Sequence, residues 1–173
     1  MARITAEQAG GKNVVAFLGM IKASEIDAYT RAHSDDGYNV LVGSHGPMTR
    51  SGKSIPADVR LFESYATHPN ILNRELNSTA AGAYQLLFRY YMPYARLLGL
   101  HDFSPLSQDL IALQQIREQR ALPLIQSGHI AAAIAACSNI WASLPGNSYG
   151  QHQNDIAMLT AAYKQAGGIV AIA

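Results

Sequence analysis

A change of texture along the chain decides which classes of fold are open to it. From Asp27 to Pro69 turn formers interrupt the sequence every few residues, at Asp35-Asp36-Gly37, Gly43-Ser44-His45-Gly46-Pro47 and Ser51-Gly52-Lys53-Ser54. Two short strand-like runs lie between them, Tyr38-Asn39-Val40-Leu41-Val42 and Val59-Arg60-Leu61-Phe62. Outside this segment, apolar residues recur at helical spacing. The pattern predicts an α+β fold: a mainly helical body with a small, irregular β-hairpin region forming a lip over a cleft. Such a cleft suits an extended polymer. At 173 residues the chain has the length of one domain, 1–173, and can bury a core without metal or disulfide staples.

Local signals place the helices. Asn13 is a good N-cap for a first helix to about Lys22, with Val14, Phe17, Leu18 and Ile21 on one face. Ser78 or Thr79 can cap a helix carrying Tyr84, Leu86, Leu87, Tyr90 and Tyr91, which Pro93 then kinks or ends. Ser104-Pro105 starts a helix through Arg117, and Pro123 and Gly128 bracket a short one. An Ala-rich helix runs from Ile130 to about Ile140, Trp141 to Gln151 is a loop, and a last helix spans about His152 to Ala166 before Gly167-Gly168.

Thirteen Lys+Arg against twelve Asp+Glu leave a net charge of +1, so no field recommends nucleic acid or an acidic membrane surface. Nothing approaches the ~18 consecutive apolar residues of a membrane span. The run Val14 to Ile21 has the length of a signal-peptide core, but its preceding segment carries Glu7 and its spacing is helical, so it is read as a helix. The single cysteine, Cys137, lies in an apolar run as a buried thiol, and six scattered histidines show no zinc-ligand spacing.

Glu25 falls just beyond the C-terminal end expected for the first helix, where the helix dipole disfavours an anion. Apolar surroundings would add desolvation of the same sign, and a raised pKa is what a general acid for a glycosidic bond needs. Spacing alone favours an exposed helix-end glutamate. A paired-carboxylate glycosidase would require Asp27, Asp35 or Asp36 opposite Glu25, although Asp35-Asp36-Gly37 is also ordinary turn sequence. Ser24 has no triad frame, the glycines at 43–46 and 52 lack phosphate-loop spacing, and Arg50, Lys53 and Arg60 read as solvated loop cations. Tyr84, Phe88, Tyr90, Tyr91 and Tyr94 are core or cleft wall. Trp141 and Tyr149, on a Pro/Gly-rich loop, are either structural or stack on sugar rings.

Together these segments resemble the phage lambda-type endolysins, lytic transglycosylases of peptidoglycan. The resemblance runs from Val15-Ala16-Phe17-Leu18-Gly19-Met20-Ile21-Lys22-Ala23-Ser24-Glu25 through Asp36-Gly37-Tyr38-Asn39-Val40-Leu41-Val42-Gly43. It is close at Ser78-Thr79-Ala80-Ala81-Gly82-Ala83-Tyr84-Gln85-Leu86-Leu87 and from Leu98 to Asp109. It is most specific at Cys137-Ser138-Asn139-Ile140-Trp141-Ala142-Ser143-Leu144-Pro145-Gly146, followed by Tyr149-Gly150-Gln151. Three departures concern sugar contacts. Ile26 stands where the family has Gly after its catalytic Glu, Asn39 stands where it has Asp, and the chain from Gly43 to Phe62 is longer, with fewer acids following at 63–69.

The resemblance implies a lysozyme-like fold, a single catalytic acid at Glu25 and a saccharide cleft that includes Gln85 and Tyr149, with Asn39, Tyr84 and Trp141 as further sugar-contact candidates. It implies cleavage of the β-1,4 bond between N-acetylmuramic acid (MurNAc) and N-acetylglucosamine (GlcNAc) with closure of a 1,6-anhydro ring. The expected enzyme is a monomer acting on glycan strands, with no cofactor, no metal, no nucleic-acid partner and no membrane span. The implied route is accumulation in the host cytoplasm and release to the wall through a holin. The alternatives are a hydrolytic muramidase using Asp27, Asp35 or Asp36, and a non-catalytic wall-binding module. The long segment from Ser44 to Arg60 is expected to pack weakly as part of the lip.

Overall fold

Gly10 and Gly11, both at positive φ, divide the N-terminal region into two helices. In the computed structural model, which describes residues 2–147 and 153–171, α1 (Ala6–Ala9) is closed by a Thr5–Gln8 capping box and ends on Gly10. The second helix, α2 (Lys12–Glu25), is longer at both ends than the sequence predicts. Asn13 does not cap it. Its side-chain amide bonds the carbonyls of Gln126 and Ile169 and accepts from the Ile169 N–H, tying the later chain to the helix.

The elements that follow are α3 (Ala28–Ala32), β1 (Met48–Arg50), β2 (Lys53–Ile55), α4 (Phe88–Leu98), α5 (Pro105–Glu118), α6 (Leu122–Gln126), α7 (Ile130–Cys137) and α8 (Ile156–Gln165). They fall into two compact units, one of residues 1–25 and 112–173, the other of residues 26–111.

In the first unit α2 is the central helix, packed against α1, α6 and α8. Val14, Ala16, Phe17, Leu18, Met20 and Ile21 are all fully buried, and such burial around the circumference is what a mid-core helix requires. Gly19 permits close approach of α8, since a Cβ there would lie 3.1 Å from that of Ala166. Asp155 caps α8 by accepting from the Met158 N–H at 2.7 Å. Cys137 is buried, as its apolar run predicts, and burial pushes its thiol up to about 12.

The second unit departs from expectation in two places. Its only paired strands among the described residues are β1 and β2, an antiparallel hairpin in the register Met48↔Ile55, Thr49↔Ser54, Arg50↔Lys53. Ser51 (φ 51°) and Gly52 (φ 75°) turn it in the left-handed geometry that two-residue hairpins favour. The long Ser44–Arg60 segment is thus built around a hairpin, whose solvent-exposed strands carry no apolar alternation for a sequence reading to detect.

The two apolar runs expected as strands meet only through a Val40↔Leu61 bridge, with Leu41 N–H donating to Arg60 and Phe62 N–H to Asn39. Turns consume the start of the first run, where Tyr38 N–H bonds the Asp35 carbonyl.

The helix expected from Ser78 begins only at Phe88. Residues 78–87 form a tight turn closed by an Ala81↔Leu86 bridge, and Gly82 there has φ 79°. A Cβ on Gly82 would lie 2.3 Å from Gln108 Oε1, so only glycine fits. Thr79 still acts as a cap, but across the turn, with its hydroxyl accepting the Phe88 N–H at 3.2 Å. The core of this unit gathers Phe62, Leu86, Tyr91, Phe103 and Ile111. His68 is buried among Phe88, Tyr91 and Phe103, and burial lowers its pKa. Among the described residues no helix is long and apolar enough to cross a membrane.

Candidate active site

Glu25 is the last residue of α2, and the packing that buries this helix carries its carboxyl into desolvating surroundings while leaving it partly exposed. Burial raises its pKa from 4.5 to about 7, against the opposing pull of hydrogen bonds from the Ser143 hydroxyl and backbone N–H. The Ser143 hydroxyl donates to Glu25 Oε1 at 2.5 Å and lies 2.9 Å from the Ser24 hydroxyl. Ser24 in turn reaches the Ile21 carbonyl at 2.8 Å. A carboxyl that is half protonated near neutrality and hydrogen-bonded by Ser143 can donate a proton and afterwards take one back.

Ser143 reaches Glu25 because the loop that carries it is anchored at several points. Trp141 and Leu144 are buried beneath the loop, and Leu144 N–H bonds the Trp141 carbonyl. The Asn147 side chain donates to the carbonyls of Ala142 and Leu144. Asn154 fastens the loop to the end of α2, its backbone N–H bonding Ser143 and its side chain bonding the Ser24 carbonyl.

Of the expected site residues, Glu25 and Trp141 lie in the first unit, and Asn39, Tyr84 and Gln85 in the second. Tyr149 lies outside the described residues. Trp141 is 3% exposed, which leaves no ring face for a sugar; it serves the site as the anchor of the Ser143 loop. Tyr84 is also buried, its hydroxyl donating to Asp109 Oδ1 at 2.6 Å, so it is a core residue and not cleft wall.

Asn39 and Gln85 are partly exposed on neighbouring segments joined by the Gly82 N–H to Val40 carbonyl bond. Gln85, at φ 46°, folds its amide back onto the Gly82 carbonyl, and Asn39 Oδ1 accepts the Asp35 N–H.

Two of the acids considered as partners for Glu25 have structural duties. Asp27 caps α3, accepting from the Thr30 N–H and hydroxyl and from the Gly46 N–H. Burial acts to raise its pKa, but these bonds together hold it below the usual carboxylate value. Asp35 accepts the Tyr65 hydroxyl at 2.8 Å. Asp36 sits in the left-handed turn position before Gly37. Arg50, Lys53 and Arg60 are exposed, the last paired with Asp58 at 2.5 Å, a surface contact of small energetic weight.

Residues 15–170 match the Endolysin family model. The chain belongs to this family. It is 46% identical to the endolysin of Escherichia phage lambda over 159 residues, covering 90% of this chain and 91% of that protein. Identity with the endolysin of Escherichia phage P2 is 39% over 168 residues, covering 92% and 96% of the two chains. The fold is that of bacteriophage lambda lysozyme solved with a chitohexasaccharide, with TM-score 0.80 and 44% identity over 99% of this chain and 100% of that one. The α+β, lysozyme-like expectation therefore holds, with the hairpin at 48–55 in place of the two apolar runs.

Ser143 is the residue that sequence reasoning missed. It stands inside the motif most specific to the family, yet no local signal marks its hydroxyl, because its partner lies 118 positions away. The signal that could have found it is Ser24, which precedes Glu25 in the family motif and whose hydroxyl lies 2.9 Å from that of Ser143.

Proposed function

We propose that this family member cleaves the MurNAc-β-1,4-GlcNAc bond of peptidoglycan as a lytic transglycosylase, with residues 1–173 acting as one catalytic domain. The observation that carries the reading is the Glu25 carboxyl, desolvated at a helix end with its pKa raised to about 7. Protonated Glu25 donates to the glycosidic oxygen as that bond breaks. The carboxylate left behind then takes the proton of the muramyl C6 hydroxyl, which attacks C1 and closes the 1,6-anhydro ring. Because the attacking oxygen is tethered to the sugar, one carboxylate suffices. The structural duties of Asp27 and Asp35 support this over a water-activating pair. The chitohexasaccharide bound by lambda lysozyme supports an extended glycan as ligand. Gln85, Asn39 and Tyr149 remain the proposed sugar contacts, and the proposed route to the wall is from the host cytoplasm through a holin.

Digestion of purified peptidoglycan in ¹⁸O-water, read by mass spectrometry, tests the reaction type. Anhydro ends without ¹⁸O are expected. Reducing ends carrying ¹⁸O would assign the protein to the hydrolases, and intact strands would make it a wall binder.

The pH profile tests the acid. Activity requires protonated Glu25 at the first step, so kcat/KM should fall as pH rises through about 7. A fall already complete by pH 5.5 would belong to a carboxyl of ordinary pKa and would remove Glu25 from the role of a buried acid.

A further inference from the structure

We propose that Ser143, backed by Ser24, is a positioning residue that decides which oxygen of Glu25 carries the catalytic proton. The inference rests on the reading of Glu25 as the general acid.

It follows from counting hydroxyl protons. Ser24 and Ser143 have one each, and three contacts compete for them: Ser24 to the Ile21 carbonyl, Ser24 to Ser143, and Ser143 to Glu25 Oε1. The Ile21 carbonyl can only accept. Ser24 donates to that carbonyl and Ser143 to Oε1, so the contact between the hydroxyls is filled when Ser24 turns its proton toward Ser143, and the two then form a directed chain ending on the carboxyl. The backbone N–H of Ser143 adds a second donor to the same carboxyl, one that cannot reverse.

In a protonated carboxyl the carbonyl oxygen is the better acceptor and the hydroxyl oxygen the poorer one. A fixed donor at Oε1 therefore makes Oε1 the carbonyl and leaves the proton on Oε2, the oxygen that must deliver it. After transfer, the same donor stabilises the carboxylate while it waits for the C6 hydroxyl proton. Ser143 thus holds the acid in one orientation and keeps desolvation from making it too weak an acid to give its proton up.

The loop geometry fits a dedicated positioning role. Trp141 and Leu144 are buried, and Asn154 donates its side-chain amide to the Ser24 carbonyl and its backbone N–H to the Ser143 carbonyl, so the hydroxyl has a fixed address relative to the end of α2.

The experiment is a carbon-13 titration of the Glu25 carboxyl in the full chain, with kcat measured across the same pH range on purified peptidoglycan. In Ser143→Ala the Glu25 titration should move upward by on the order of one pH unit, the weight of a hydrogen bond to a charged group. The basic limb of kcat should move with it, and kcat at pH 6 should fall about tenfold as the acid loses its fixed orientation. Ser143→Thr, which keeps the hydroxyl, should restore both. Ser24→Ala should shift the titration in the same direction by less.

A titration unmoved or lowered in Ser143→Ala, or a Ser143→Thr chain that behaves like the alanine variant, overturns the proposal. The failure of the underlying reading looks different. If Glu25 were not the acid, its titration would still answer to Ser143 while the kcat limb stayed in place, which would leave the hydrogen bond but remove its role in catalysis.

Discussion

Glu25→Gln is expected to abolish cleavage of purified peptidoglycan while leaving glycan binding and the fold intact. Glutamine keeps the volume of the side chain and an oxygen able to accept from the Ser143 hydroxyl, but it has no proton to give. General acid–base catalysis is worth about 10²–10⁴-fold, so residual activity should lie below about one hundredth. A variant that retains a tenth or more would show that the acid is elsewhere.

The same substitution carries a stability signature with a definite sign. A carboxyl whose pKa rises from 4.5 in the unfolded chain to about 7 in the folded one holds its proton more tightly when folded. Its contribution to stability is therefore fully present below about pH 4.5 and is lost as pH rises through about 7. Above that range the wild type carries an ionised, poorly hydrated Glu25 at a cost of up to about 3 kcal/mol, which glutamine does not share. Urea denaturation should find Glu25→Gln more stable than wild type at pH 8 and close to it at pH 4.5. Equal stabilities at pH 8 would mean that burial does not perturb this carboxyl.

The largest loss of stability is expected at Asp109. This residue of α5 is fully buried, and its Oδ1 accepts hydroxyls from two buried tyrosines, Tyr38 at 2.7 Å and Tyr84 at 2.6 Å. Burial first, and then the charge of Asp109, keeps the Tyr84 phenol protonated well above its usual range, so it always requires an acceptor. Asp109→Ala strips both phenols of the oxygen they share. At about 1–3 kcal/mol for each buried donor, a loss of roughly 2–6 kcal/mol is expected out of a total of about 5–15. Asp109→Asn keeps an oxygen at the same place and should lose much less. Urea titrations of the three chains decide the matter: equal losses for Ala and Asn would mean that charge, not the shared acceptor, is what the site requires.

The neighbouring Gln108 shows what this network holds in place. Its amide oxygen accepts the Ala83 N–H, and its amide nitrogen donates to the carbonyls of Tyr38 and Phe103. Together, Gln108 and Asp109 fix the 82–85 turn and the chain before Asn39, the two segments that carry the proposed sugar contacts Gln85 and Asn39.

Features that act over one or two turns of chain are legible in the residues alone. The apolar spacing of Val14 to Ile21 makes α2 and leaves Glu25 at its end, and Ser104-Pro105 starts α5 where cap and ring geometry require. The order of the motifs also carried the family resemblance and, with it, Glu25 as the proposed acid. The tertiary structure decided everything that depends on partners distant in the chain. Residues 78–87 have helical spacing and a helix cap, yet they turn at Gly82 because Gln108 occupies the space beside it and Thr79 reaches across to Phe88. Trp141 lies on a loop rich in turn formers, yet it is buried, because its ring anchors that loop beneath the site. Ser143 meets Glu25 only after the loop, α2 and Asn154 have packed together. Local propensity amounts to tenths of a kcal/mol per residue, while burying an aromatic ring or satisfying a buried polar group amounts to whole ones, and where the two conflict the longer-range contact prevails.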